Sequence, residues 1–150
     1  MKIALGADHA GFELKEKLKG YLQQKGITVD DRGTRSPEAV DYPDYARLVG
    51  EDVINKRADF GILVCGSGIG MSIAANKVPG IRAVNAHDET EAHLAREHNN
   101  ANVLALAGRF MDEATAHKII DKWLATPFAG GRHGRRVEKI AEIERAEVSR

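Results

Sequence analysis

Phe60-Gly-Ile-Leu-Val-Cys-Gly-Ser-Gly-Ile-Gly-Met-Ser-Ile-Ala-Ala-Asn76 is the stretch that most restricts how this chain can fold. Gly61 to Val64 is a short apolar run of the kind that a strand buried on both faces requires, and Ser72 to Lys77 reads as helix. Cys65-Gly-Ser-Gly-Ile-Gly70 is therefore a strand-to-helix turn. Its glycines let the backbone approach a ligand closely, and the first N–H groups of the following helix favour an anion in the same space. The single cysteine of the chain sits at the strand end, where a thiolate shares that field. A turn of this composition also serves simply as a tight turn, and a lone cysteine at a strand end is more often a small buried hydrophobe than a reagent. A dinucleotide site is a further alternative: the pattern G-x-G-x-x-G fails because position 71 is Met, yet Asp88 falls twenty residues after Gly68. The lysine of a P-loop is missing.

The rest of the chain repeats the same alternation. Ile3 to Gly6 is a short strand followed by the turn Ala7-Asp-His-Ala-Gly11. Phe12, Leu14, Leu18, Tyr21 and Leu22 then recur at helical spacing up to Gly26. Ile27 to Asp30 is a second strand, Gly33 to Asp41 a loop, and Asp41-Tyr-Pro-Asp44 opens a helix to about Asn55 with Pro43 in its first turn. After Pro79-Gly80 come a strand over Ile81 to Asn85, a helix from Asp88 to about Glu97, a strand over Val103 to Ala107 and a helix from Asp112 to Leu124. A loop over Thr126 to Gly131 leads to a charged final helix from Arg132 to about Glu147. Five short strands alternating with helices predict one Rossmann-like α/β domain over residues 1–150: a five-stranded parallel sheet in a three-layer α/β/α sandwich. Ligands of such sheets bind beyond the carboxyl ends of the strands. Asp8, His9, Cys65 to Gly70 and Gly108-Arg109 then face one rim.

Composition narrows the partners. Lysine plus arginine equals aspartate plus glutamate at 22 each, so no global field recruits nucleic acid or an anionic membrane. One cysteine forms no internal disulfide, no apolar leader precedes Asp8-His9, and no stretch reaches the length of a membrane span. The expectation is a cytoplasmic enzyme or binding protein. No cysteine–histidine cluster has zinc spacing, so no metal site is expected, and His87, His93 and His117 read as surface residues. His9, beside Asp8, and His98, at a helix end, suit proton transfer near neutral pH. Arg132 and Arg136, in the run Gly130-Gly-Arg-His-Gly-Arg-Arg136, stand four apart, which on a helix aligns two guanidinium forks for phosphate; a solvated basic turn is the alternative.

Gly6-Ala-Asp-His-Ala-Gly-Phe12, Asp41-Tyr-Pro-Asp-Tyr-Ala46, Cys65 to Lys77, Gly80-Ile-Arg-Ala83, Glu97-His-Asn-Asn-Ala-Asn-Val-Leu-Ala105 and Gly130 to Arg136 together resemble the type B ribose-5-phosphate isomerase family, which includes galactose-6-phosphate isomerase subunits. The resemblance covers nearly the whole chain, in order. It implies a cofactor-independent aldose–ketose isomerase of the pentose phosphate pathway, with Cys65 as the base that moves a proton between C2 and C1. Gly66, Ser67, Gly68, Ile69 and Gly70 are implied to hold the enediolate oxygens through backbone N–H groups. Ser67 stands where the family commonly has Thr, keeping the hydroxyl and losing a methyl. His98 is similar to the residue that opens the furanose ring, with Asp8 as its partner; Asn99 and Tyr42 resemble hydroxyl ligands, and His9, Arg109, Arg132 and Arg136 the phosphate end. Some relatives use a glutamate in the helix after the turn, but Ser72 to Asn76 contains no acid. The resemblance further implies a homodimer or dimer of dimers with active sites shared between subunits and the final helix on a partner. Alternatives that stay open are another sugar phosphate (galactose 6-phosphate, allose 6-phosphate or a tetrose phosphate) and a non-catalytic sugar-phosphate or nucleotide-binding module.

Overall fold

In the computed structural model, which describes residues 1–148, every strand is followed by a helix. The order is β1 (Lys2–Ala7), α1 (Phe12–Gln24), β2 (Thr28–Asp31), α2 (Tyr42–Ile54), β3 (Phe60–Cys65), α3 (Ile69–Ala75), β4 (Ala83–Asn85), α4 (Glu89–Glu97), β5 (Val103–Ala107), α5 (Glu113–Ala125) and α6 (Arg132–Val148). The strands form one parallel sheet in the order β2-β1-β3-β5-β4. Because side chains alternate along a strand, each central strand feeds two cores. Ile3, Leu5, Ile62, Val64, Leu104 and Leu106 meet α1, α4 and α5 on one face. Ala4, Leu63, Cys65, Val103 and Ala105 meet α2 and α3 on the other. The predicted three layers are present, and no helix among the described residues is long and apolar enough to cross a membrane.

Helix starts follow local chemistry. Asp88 caps α4 by accepting the Glu91 N–H at 2.7 Å, and Asp112 caps α5 by accepting that of Thr115 at 2.8 Å. Two element starts differ from the sequence reading by more than one residue. α3 begins at Ile69, three residues before the predicted Ser72, because Gly68 takes a left-handed conformation (φ 77°) as its N-cap and lets Ile69 and Gly70 enter the helix. β4 begins at Ala83, not Ile81: the Ile81 N–H bonds the Val78 carbonyl in a turn, and that of Arg82 bonds the Asn102 side chain at 2.8 Å.

One buried ion pair braces the rim. Lys15, fully buried on α1, places Nζ 2.8 Å from both carboxylate oxygens of Asp31 at the end of β2, with Glu16 at 2.9 Å. Asp31 also accepts the Gly33 N–H at 2.9 Å, and Gly33 in turn accepts the Ala7 N–H at 2.7 Å, immediately before Asp8. Burial opposes the charge on Asp31, but Lys15, the Gly33 amide and Lys19 outweigh it and hold the carboxyl below its ordinary value. Stability from such a group is present above the carboxyl's unfolded value and is lost as pH falls through its folded one. Asp31→Asn is expected to cost about 3 kcal/mol in denaturant unfolding at pH 7, since it leaves a buried ammonium short of its partner. The difference from wild type should close as pH drops below about 4.

Candidate active site

The chain reverses its winding direction between β1 and β3, since β2 lies on one side of β1 and β3, β5 and β4 on the other. A crevice opens at such a switch point. Here it is a cleft of about 540 Å³ lined by Asp8, His9, Tyr42, Cys65, Gly66, Ser67, Ile69, Gly70 and Arg109, with Ile73 and Phe110 at its lip. Nine of the residues singled out in the sequence therefore line one space. Ile69, Ile73 and Phe110 leave the lip apolar and exposed, Phe110 by 80%.

The glycine turn is shaped around the sulfur. Cys65, a free thiol and only 4% exposed, packs its inner side among Ala4, Met71 and Ala75 while lining the cleft. Its Sγ accepts the Gly68 N–H at 3.2 Å. The Ser67 Oγ accepts the Ile69 N–H at 3.2 Å. Gly70 faces the ring of Tyr42, which a Cβ would approach to 2.7 Å, so glycine there brings the tyrosine over the turn. Gly68 itself lies beneath the surface of the cleft rather than on its lining.

Asp8 and His9 are held by backbone. Asp8 Oδ1 accepts the N–H groups of Ala10 and Gly11, both at 3.0 Å. His9 Nδ1 lies 3.2 Å from both the N–H and the carbonyl of Val40, which directs Nε2 away from that loop. Arg109 follows β5, its N–H donating to the Gly66 carbonyl at 3.0 Å. A guanidinium and an imidazole thus stand at the same cleft as the thiol and the turn, an arrangement suited to a small anion with a reactive carbon.

His98, Asn99, Arg132 and Arg136 do not line this cleft. They form a second group at the end of α4 and the start of α6. The His98 ring stacks on that of His133 at 4.2 Å between centroids and 8° between planes, with Glu97 Oε1 3.4 Å from His98 Nε2. Within one chain, then, the neighbours of His98 are His133 and Glu97, whereas Asp8 lines the cleft with its Oδ1 bonded to its own turn. Partial desolvation, followed by His98, Arg132 and Arg136, pushes the His133 imidazole below its ordinary value against the pull of Glu97. Two arginines not singled out in the sequence brace this loop. Arg82 donates to the carbonyls of Asn99 (3.1 Å) and Asn100 (3.0 and 2.8 Å), and Arg96 to the Asn100 side chain (2.9 Å) and the Ala101 carbonyl (2.7 Å). The use that Arg82 makes of backbone acceptors 17 and 18 residues along the chain carried no sequence signal.

Fold and cleft together define an α/β protein whose candidate site, at the sheet's switch point, sets a thiol beside a guanidinium and an imidazole. The family model described as Ribose/Galactose Isomerase matches residues 3–140, and the chain belongs to that family. It is 48% identical over 143 residues to ribose-5-phosphate isomerase B of Escherichia coli K12, spanning 95% of this chain and 96% of that one. It is similar to the crystal structure of a ribose 5-phosphate isomerase from Thermotoga maritima (TM-score 0.93, 57% identity, 94% and 97% of the two chains). It is also similar to ribose-5-phosphate isomerase B of Mycoplasma genitalium with bound ribulose-5-phosphate (TM-score 0.92, 44% identity, 96% of each chain). The resemblance read from the motifs is borne out.

The turn's geometry makes a contrast between two glycines. A Cβ on Gly68 would be strained at φ 77° and driven into the Asn85 side chain, whereas one on Gly66 meets Arg109 only at 3.4 Å, an ordinary contact. Gly68→Ala should lower the unfolding midpoint by about 5 °C, equivalent to about 2 kcal/mol. Gly66→Ala should leave it within about 1 °C. Thermal denaturation of the two variants checks this.

Proposed function

We propose that this chain is a cofactor-independent aldose–ketose isomerase that interconverts D-ribose 5-phosphate and D-ribulose 5-phosphate through an enediolate. The observation that carries the reading is the shared cleft: Cys65 beside a turn of amide donors, with His9 and Arg109 lining the same space. The relatives named ribose-5-phosphate isomerase B, and the one solved with ribulose-5-phosphate, support the choice of sugar.

In this mechanism the Cys65 thiolate takes the proton from C2 of the open-chain aldose. The electron pair moves through C1=O to give an enediolate, whose negative charge is stabilised by amide donors of the glycine turn and by the Ser67 hydroxyl. Returning the proton to C1, with transfer of the hydroxyl proton from O2 to O1, yields the ketose and the starting thiolate. Tyr42, Asp8 and Asn99 hold sugar hydroxyls. His9, Arg109, Arg132 and Arg136 hold the phosphate, which fixes the reacting carbons against the sulfur. His98 donates the proton that opens the furanose ring.

The apolar surfaces that one chain leaves uncovered support a dimer. Ile69, Ile73 and Phe110 leave an apolar lip uncovered, and α6 buries no residue on its own chain while exposing Ile140 and Ile143. In our reading a second copy covers these surfaces and brings its own His98, Asn99, Arg132 and Arg136 to the cleft, so that each site is shared and the final helix packs on the partner. The protein acts in the cytoplasm on a phosphorylated sugar, within the pentose phosphate pathway.

Cys65→Ala is expected to abolish both turnover and solvent-deuterium uptake at C2 while retaining sugar-phosphate binding; substantial residual exchange would remove Cys65 as the base. Mixing inactive Cys65→Ala and His98→Asn chains under subunit exchange should restore about a quarter of the wild-type rate per chain, because half the dimers are mixed and each has one intact site. No recovery would argue against shared sites. A panel of phosphorylated pentoses, hexoses and tetroses ranks the substrates by kcat/KM.

A further inference from the structure

Asn85, the last residue of β4, reaches beneath the glycine turn from two strands away. Its Nδ2 donates to the Ser67 carbonyl at 3.2 Å. The N–H of that same peptide group belongs to Gly68, and it donates to Cys65 Sγ at 3.2 Å. One rigid peptide plane therefore links the asparagine to the thiol, its carbonyl held on one edge and its N–H aimed at sulfur from the other. Among the described residues this is the side chain's one hydrogen bond, and its Oδ1 is buried without a partner, against Gly68 where a Cβ would strike it. A buried, unpaired amide oxygen is unfavourable, and an apolar side chain of the same shape would avoid it. What the asparagine adds over leucine at this position is its donor to Ser67.

That donor matters because of where the peptide lies. Glycines on either side of Ser67 leave the plane free to rotate, and the left-handed Gly68 gives it further latitude. A plane that swings takes the N–H off the sulfur. A donor on the carbonyl also polarises the amide, so its N–H donates more strongly to a thiolate. We propose that Asn85 is a positioning residue for Cys65, orienting and polarising the Ser67–Gly68 peptide so that the Gly68 N–H stabilises the thiolate. The inference rests on the reading of Cys65 as the proton-transferring base, but its physical content, the effect on the thiol, is measured without substrate.

The test uses the fact that the chain has one cysteine, so alkylation by iodoacetamide reports on Cys65 alone. In Asn85→Leu the pH midpoint of the alkylation rate should rise by about half a unit, a part of what a direct hydrogen bond to the charged form contributes. In the isomerase assay kcat should fall roughly tenfold with KM within about twofold, the low end of what outer-shell partners cost. Asn85→Ala, which adds no volume, should move the midpoint in the same direction and decides the matter if the leucine variant does not fold. A folded variant whose midpoint stays at the wild-type value overturns the proposal, even if turnover drops, since that drop would then report packing alone. Retained turnover in Cys65→Ala would instead overturn the base, a result distinguishable because the alkylation midpoint of the Asn85 variants does not depend on it.

Discussion

Ala7 lies opposite Val64 in the sheet and Cys65 opposite Ala107, so three parallel strands end level with one another. Everything at the candidate site follows from that register. A parallel strand cannot turn back on its neighbour, so each of the three must leave the sheet at the same rim, and the turns that do so carry Asp8 and His9, the glycine turn, and Arg109. Cys65 is the last residue of β3 and points into the α2–α3 core, which places its sulfur where hydrocarbon ends and the turn's amides begin. A shift of one residue would carry the thiol to the opposite face of the sheet.

The polar groups around the rim are held by interactions that tolerate little movement. Lys15 and Asp31 pull the segment after β2 against the end of β1, and Asp8 closes its own turn on two amides. Arg82 and Arg96 grip the backbone around Asn100, which sits at a positive φ of 46° directly after His98 and Asn99. Arg96 itself lies over the rings of both Phe60 and Trp123, so the loop's brace is anchored in the larger core. Polar interactions of this kind rigidify the rim, and an isomerase needs that rigidity because its donors must be in place before charge develops. The apolar lip and the unburied face of α6 are the contrasting surfaces, left open on the single chain.

Much of this was legible in the residues. Apolar runs at Ile3, Gly61 and Val103 identified the central strands, and Asp88 and Asp112 marked helix starts that the structure caps through those same side chains. Asp8, His9 and Arg109 could be assigned to one rim because a parallel sheet obliges its turns to share it. The start of α3 is not legible in the sequence, since two glycines around Ile69 look like turn, and only the left-handed Gly68 shows why helix begins there. Asn85 and Arg82 read in the sequence only as strand residues, because the atoms they bond, carbonyls of Ser67, Asn99 and Asn100, are identical in every residue and leave no trace in composition.

Local order, the alternation of strand and helix, and the chemistry available at each turn were thus determined by the sequence alone, since hydrophobic period and turn residues act over a few positions. Tertiary structure decided which turns share a cleft, that His98 stacks on His133 on another part of the surface, and that an asparagine on β4 bonds the peptide whose N–H faces the thiol. Those outcomes depend on strand order and on distances between residues remote in the chain, which only packing of the whole sheet establishes.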